Sequence, residues 1–412
     1  MTILFVAEAV TLAHVARPVA LARGIAARGR PVVMAVDDRF EAVCPTDEWR
    51  TERIVTMTTA RFLEALRTGA PIHDRKSFDA CVADYLALLA RVRPAAVVGD
   101  FRLSLSISAR LAGVPYINIS NAYWSPHARR TWHVPALPWT RLVPAAIGDL
   151  VFRGARPIAF RLHARGMEAS RRGHGLADLG HDLLRHYTDG DVTLYADPPE
   201  LVPLFDAPAS HRHLGPVPWS PPIALPPWWD ALDKRDGVVY VTLGSSGSAA
   251  RLPSVLDGLT RLGLPVVVAT AGASLAAAVP ANVSVAPYLP GDTIAAASRL
   301  VVCNGGSPTS HQALVHGVPV LALPSNLDQF LNSACLHDAG VGAWLRPEHA
   351  SADAVAAMAK TMLADATLRQ RTAALARRLE RHRPVEVLAA AIDALAPAPA
   401  LREARARHPA TA

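Results

Sequence analysis

Residues 300–342 read LVVCNGGSPTSHQALVHGVPVLALPSNLDQFLNSACLHDAGVG, and they hold the densest set of groups able to do chemistry. An apolar run ends at Cys303, Gly305 and Gly306 follow, and Gln312 to Val315 recur at helical spacing. That order predicts strand, tight glycine turn and helix. Such a turn presents the backbone N–H groups of Gly305, Gly306, Ser307 and Thr309 at a helix N-terminus, where the helix dipole adds positive charge. The natural occupant is an anion, most often phosphate. A second strand, 318–323, ends at Pro324, and the loop after it carries Asn326, Asp328 and Gln329. Open α/β sheets bind ligands at the carboxyl ends of their strands. Asp328 and Gln329 therefore suit the hydroxyl groups of a ligand whose phosphate sits in the neighbouring turn. A further loop, Gly244-Ser245-Ser246-Gly247-Ser248, offers more N–H and hydroxyl donors but lacks the lysine of a P-loop, and a plain helix opening explains it equally well.

Near the other end of the chain, His14 follows an apolar run at 3–7 and precedes a helical pattern at 15–27. A histidine whose pKa lies near ambient pH can take a proton from a hydroxyl. Read alone, His14 fits a surface or helix-capping histidine as well. Asp100 ends the apolar run 95–98 and precedes a helical pattern at 104–111, where an N-cap is the common job for Asp. Asn118, Asn121, Tyr123 and Trp124 follow at the end of the next strand and are candidates to face the same cleft.

The stretch from residue 304 resembles the nucleotide-sugar motif of GT-B glycosyltransferases of the UDP-glycosyltransferase and macrolide-glycosyltransferase type. In that family the pattern is His-Gly-Gly-X-Gly-Thr-X-X-Glu-Ala-Leu-X-X-Gly-Val-Pro, then Pro, then Asp-Gln-X-X-Asn. Gly305, Gly306, Thr309, Ala313, Leu314, Gly317, Val318, Pro319, Pro324, Asp328, Gln329 and Asn332 stand in register with it. Asn304, Pro308 and Gln312 replace the family's His, Gly and Glu. The resemblance implies an α/β fold of the GT-B kind: two Rossmann-like lobes with parallel sheets and an interdomain cleft. It implies His14 as general base with Asp100 as its carboxylate partner, and Leu289 and Pro290 against the nucleobase. Asn304 and Gln312 would then meet phosphate and ribose. The implied reaction is inverting, metal-independent transfer from a UDP- or dTDP-linked sugar to a hydroxyl of a small-molecule or lipid-like acceptor, with no cofactor. Asn304 carries no charge and Pro308 no N–H, which keeps open a nucleotide-sugar-binding accessory protein with little transferase activity. A sugar epimerase on the same fold would need a pair of acid/base carboxylates in the cleft, and no pair is placed for it.

These groups need two lobes to carry them. The 412 residues suffice for two ordinary domains, and 51% hydrophobic against 19% charged residues describes a folded globular chain. The expected division is 1–215 for an acceptor lobe, 216–234 for a Pro-rich linker (PVPWSPPIALPPWW and beyond), and 235–380 for a donor lobe. Residues 381–396 are expected as a helix packing back on the first lobe, and 397–412 as a disordered tail. Four scattered cysteines indicate neither zinc site nor disulfide framework. The N-terminus lacks a basic segment ahead of its apolar run, and no apolar run reaches membrane-spanning length, so a cytoplasmic protein is expected. A net charge of +7 favours anionic partners, but without the aromatic and basic interleaving of nucleic-acid binders. In residues 129–172 the prolines at 135, 138, 144 and 157 break up the first half, and a helix is expected over 158–170; the segment concentrates arginine with Trp132 and Trp139 and suits an anionic acceptor or peripheral membrane contact, or simply a solvated helix.

Overall fold

The computed structural model describes residues 1–244, 249–274 and 279–395. Ser245, expected at the donor site, and the tail 397–412, expected to be disordered, lie outside them.

Seven parallel strands form the first sheet, in the order β3-β2-β1-β4-β5-β6-β7. They are β1 Ile3–Ala7, β2 Val32–Val36, β3 Arg50–Arg53, β4 Ala96–Asp100, β5 Tyr116–Ser120, β6 Val192–Tyr195 and β7 His211–His213. Their central members are unbroken apolar runs because helices cover both faces. Alternation divides β1 between two cores. Ile3, Phe5 and Ala7 pack with the helices Ala13–Ala26 and Pro384–Leu395, whereas Leu4 and Val6 pack with Tyr85, Leu88 and Leu89 of the helix Arg75–Val92.

Six parallel strands form the second sheet, in the order β10-β9-β8-β11-β12-β13. They are β8 Val238–Thr242, β9 Val266–Ala269, β10 Val283–Ala286, β11 Ser298–Cys303, β12 Val320–Ala322 and β13 Gly342–Trp344. Val239 and Val241 face the helices Leu252–Thr260 and Ala352–Ala364; Val238 and Tyr240 face the side carrying Ala313, Leu314 and Leu375. Two Rossmann-like lobes with parallel sheets result, the α/β architecture of GT-B proteins.

Pro216 to Pro227 run between the sheets without strand or helix. The last helix, Pro384–Leu395, returns to the first lobe, where Leu388, Ala391 and Ile392 are fully buried. One element departs from the sequence reading. A helix was expected only from residue 158, with prolines breaking the segment before it. Instead a single helix spans Ala145–Gly173, because Pro144 occupies the N-cap, where no amide donor is lost, and the helix carries Pro157 inside it.

Candidate active site

Strand register brings His14 and Asp100 together. Ala7 of β1 pairs directly with Asp100 of β4, so the loop leaving β1 and the end of β4 share one edge of the sheet. The first helix starts in that loop and sets His14 Nδ1 at 2.7 Å from Asp100 Oδ1. Phe101 takes φ +54°, a left-handed conformation that costs a side-chain-bearing residue energy. Its ring stacks on the imidazole at 4.9 Å and 16°. The imidazole is 21% exposed, enough to reach a ligand while held from behind.

Arg17 was missed in the sequence. One helical turn beyond His14, it donates from Nε to Asp100 Oδ2 at 2.6 Å and from a terminal nitrogen to Oδ1 at 3.1 Å. Burial would raise the Asp100 pKa, but Arg17 and then His14 outweigh it and hold the carboxyl below the usual range. The i, i+3 spacing of His14 and Arg17 on a helix was the available signal. Asp197 and His311 were missed too. Asp197 accepts from Asn121 Nδ2 at 3.1 Å and from the Ala122 N–H at 2.5 Å, and burial, partly offset by these bonds, raises it to about 6. His311 Nε2 lies 3.4 Å from Asp197; burial, reinforced by Arg17, lowers the imidazole to about 3 and keeps it neutral.

The acceptor candidates divide. Asn121 and Trp124 reach across to the other lobe, Asn121 Nδ2 to Ser307 Oγ at 2.9 Å and Trp124 Nε1 to Asp328 Oδ1 at 2.8 Å. Asn118 does not face the cleft. It is buried in β5, donating to the Tyr187 carbonyl and accepting from the Tyr116 hydroxyl. Tyr123 is fully buried, since its short turn aims it into the core.

On the donor side, Cys303 of β11 pairs with Thr242 of β8, which brings Gly244 beside the turn at Asn304. Gly305, at φ +79°, makes the turn, and a Cβ there would stand 2.4 Å from Ser333 Oγ. Two of the expected free N–H groups are used internally, which corrects the sequence reading. Gly305 N–H points to Cys303 Sγ at 3.3 Å, and Gly306 N–H donates to Asn304 Oδ1 at 3.1 Å, because an Asn side chain closes this turn on itself. With Pro308 donating nothing, the N–H groups of Ser307 and Thr309 remain to open the helix Ser307–Val315. Gln329 lies in the wall of the larger cavity beside Asp328, and its oxygen has a structural role as well: it accepts from Ser325 and Asn326 N–H, and with Asn326 it forms a capping box for the helix Leu327–Asp338. Gln312 Nε2 donates to the Trp219 carbonyl and Ser220 Oγ of the linker. Leu289 faces a cavity together with Gly244, Asn304 and Gln312, but Pro290, at the N-cap of the helix Gly291–Ala296, does not.

Two cavities meet at this seam. The larger, about 390 Å³, is walled by His14, Phe101, Trp124, Phe160, Tyr187 and Asp328 among others, and most of its wall is apolar. The smaller, about 180 Å³, holds Gly244, Leu289, Asn304, Thr309 and Gln312 in its wall. Thr11, Ala13, Arg17 and the turn Gly306-Ser307-Pro308 border both. A hydroxyl in the larger cavity and a phosphate at Ser307 and Thr309 would therefore approach each other beside His14.

Comparison with known proteins decides the family. A glycosyltransferase of PGL/p-HBAD biosynthesis from Mycobacterium tuberculosis is 47% identical over 374 residues, 91% of this chain and 87% of the relative. The chain belongs to this family of GT-B glycosyltransferases. The family model for the C-terminal domain of erythromycin biosynthesis protein CIII-like proteins matches residues 253–394 of the glycosyltransferase. A PGL/p-HBAD biosynthesis rhamnosyltransferase of Mycobacterium bovis is 46% identical over 381 residues, 92% of this chain and 85% of that one. An inactive PGL/p-HBAD biosynthesis glycosyltransferase of the same species is 45% identical over 259 residues, 63% of this chain and 71% of that one. The spinosyn rhamnosyltransferase SpnG, solved with thymidine diphosphate, shares the fold at TM-score 0.67 and 20% identity, covering 95% of this chain and 99% of that one.

Proposed function

We propose that this glycosyltransferase moves a sugar, rhamnose first among candidates, from a TDP-linked donor to a hydroxyl of an aromatic or lipid-like acceptor, without a metal and with inversion at the anomeric carbon. One observation carries the reading: the His14–Asp100 pair lines an apolar cavity, and its neighbours Ala13 and Arg17 border both that cavity and the one walled by the glycine turn. The rhamnosyltransferase among the relatives and the thymidine diphosphate held by SpnG support the donor. The aromatic wall of the larger cavity supports the acceptor class.

The chemistry follows from the geometry. Asp100 engages Nδ1 of His14, which leaves Nε2 as the lone pair available to the acceptor hydroxyl. The proton passes to Nε2 as the acceptor oxygen bonds to the anomeric carbon. The carbon–oxygen bond to the diphosphate breaks on the opposite face, and the electron pair leaves with the diphosphate. Ser307 and Thr309 N–H, with the helix dipole behind them, stabilise that charge. Asp328, already fixed by Trp124, faces the larger cavity as an acceptor for a sugar hydroxyl.

The test is turnover of TDP-rhamnose with a phenolic acceptor by wild type and His14→Ala, with the product anomer read by NMR. Product of inverted configuration from wild type, and a loss of about 10²–10⁴-fold in kcat with donor binding retained in the variant, is the expected result. Retained configuration, or equal turnover by both proteins, would refute the mechanism. A second reading, donor binding without transfer, is favoured by the internal use of the Gly306 N–H and by the inactive relative. It predicts donor binding by both proteins and turnover by neither.

A further inference from the structure

The helix Ala145–Gly173 is 29 residues long, yet its buried residues other than Gly148 lie in its second half, from Ala164 onward. Its first half covers the larger cavity with Phe152, Ala159 and Phe160 and leaves another face exposed. Leu150 is 66% exposed, Ile158 64% and Leu162 55%, and Leu142 in the preceding turn is 85% exposed. Ile147, Leu150, Val151, Ile158 and Leu162 fall on one stripe of the helix, the spacing that ordinarily packs on a core, and here they face solvent. Such contiguous exposed apolar surface marks an interaction site.

The exposed charges of the helix and of the turn before it have one sign. Arg161 and Arg165 continue its face toward the C-terminus, and Arg141 and Arg153 flank it, all exposed. The helix's two acids are engaged elsewhere: Asp149 accepts from His133 and the Val134 N–H, and Glu168 is fully buried, accepting from Leu179 N–H and His186. A second copy docked through this same face would add more arginines, and neither acid of the helix would be free to pair them. An anionic bilayer offers both an apolar interior and phosphates. The face is also continuous with the larger cavity, since Trp139 and Val151 belong to both. Among the described residues no helix is long and apolar enough to cross a membrane, so contact here would be peripheral.

We propose that this face docks on an anionic lipid bilayer. The stripe sinks to the boundary between headgroups and acyl chains, the arginines meet lipid phosphates, and the cavity mouth opens onto the membrane, from which a lipid acceptor enters. The lipid acceptor rests on the functional reading above; the docking itself does not.

The experiment is co-sedimentation of the full chain with phosphatidylcholine vesicles, with and without about one-third phosphatidylglycerol, at low and high salt. Wild type should pellet with the anionic vesicles at low salt and be released by high salt. Leu150→Glu/Ile158→Glu/Leu162→Glu should weaken partitioning about tenfold or more, and Arg161→Glu/Arg165→Glu should remove the anionic preference by about tenfold. None of these five side chains lines the cavity. Both variants should therefore keep the wild-type melting temperature and turn over a soluble short-chain acceptor at the wild-type rate. No binding of wild type to anionic vesicles at low salt overturns the proposal. So does a concentration-dependent dimer, seen by light scattering and broken by Leu150→Glu, in a protein that ignores vesicles. Vesicle binding without transfer would refute the functional reading and leave the docking standing.

Discussion

Asp100 divides its two oxygens between a guanidinium and an imidazole, and the two partners set different penalties for its loss. Asp100→Asn should lower kcat by disordering the His14 tautomer. It should also leave the buried Arg17 uncompensated, destabilising the fold by about 3–5 kcal/mol. His14→Ala should lower kcat alike but leave the melting temperature close to wild type. Melting curves beside turnover separate them, and equal melting temperatures would show that Arg17 finds another partner. Asp197 gives a pH signature. Its folded pKa, about 6, exceeds the ordinary value near 3.9, so between these limits the folded state holds the proton more tightly than the unfolded one. Its burial therefore costs nothing below about pH 3.9, and the full penalty, on the order of 3 kcal/mol, is present above about pH 6. Relative to Asp197→Asn, wild type should lose stability as pH rises through that window in urea titrations. A difference constant with pH would contradict it.

The turn after β11 depends on one glycine. Gly305→Ala places a methyl group against Ser333 and forces a positive φ on alanine, a cost of about 1–3 kcal/mol. It should weaken TDP binding more than tenfold by calorimetry while leaving acceptor binding intact; unchanged TDP affinity would remove this turn from the donor site. Such elements were legible to different degrees. The glycine turn and the ends of β1 and β4 could be read because apolar runs and glycines are local signals. Arg17 was also within reach, at helical spacing from His14, although its ion pair with Asp100 depends on strand register 83 residues away. Asn118 and Tyr123 could not be separated from Asn121 and Trp124, since beyond a strand end the choice between cleft and core is made by tertiary packing. Gln329 was open to both readings: with Asn326 it has capping-box spacing, and with Asp328 it suits sugar hydroxyls. The start of the long helix was hidden by Pro157, which a helix held by its neighbours tolerates.

At the scale of the whole molecule, the lobes are joined at the seam as well as by the linker. Asn121 meets Ser307, Trp124 meets Asp328, Ala136 N–H donates to the Ser325 carbonyl, and Arg346 donates to the Val134 carbonyl. The last helix adds a third connection. Leu388 and Ile392 are fully buried against the first helix, so Leu388→Ala should destabilise the first lobe by about 2–5 kcal/mol. Limited proteolysis should then cut that lobe first; cuts confined to the second lobe would contradict it. This return also bears on how the protein is made. The first lobe leaves the ribosome before the second, but the apolar groove along its first helix is closed by a helix that follows the second lobe in the chain. Of the two lobes, the one synthesised earlier thus completes its core only after the other has emerged, and until then it carries an open apolar groove where a chaperone can bind.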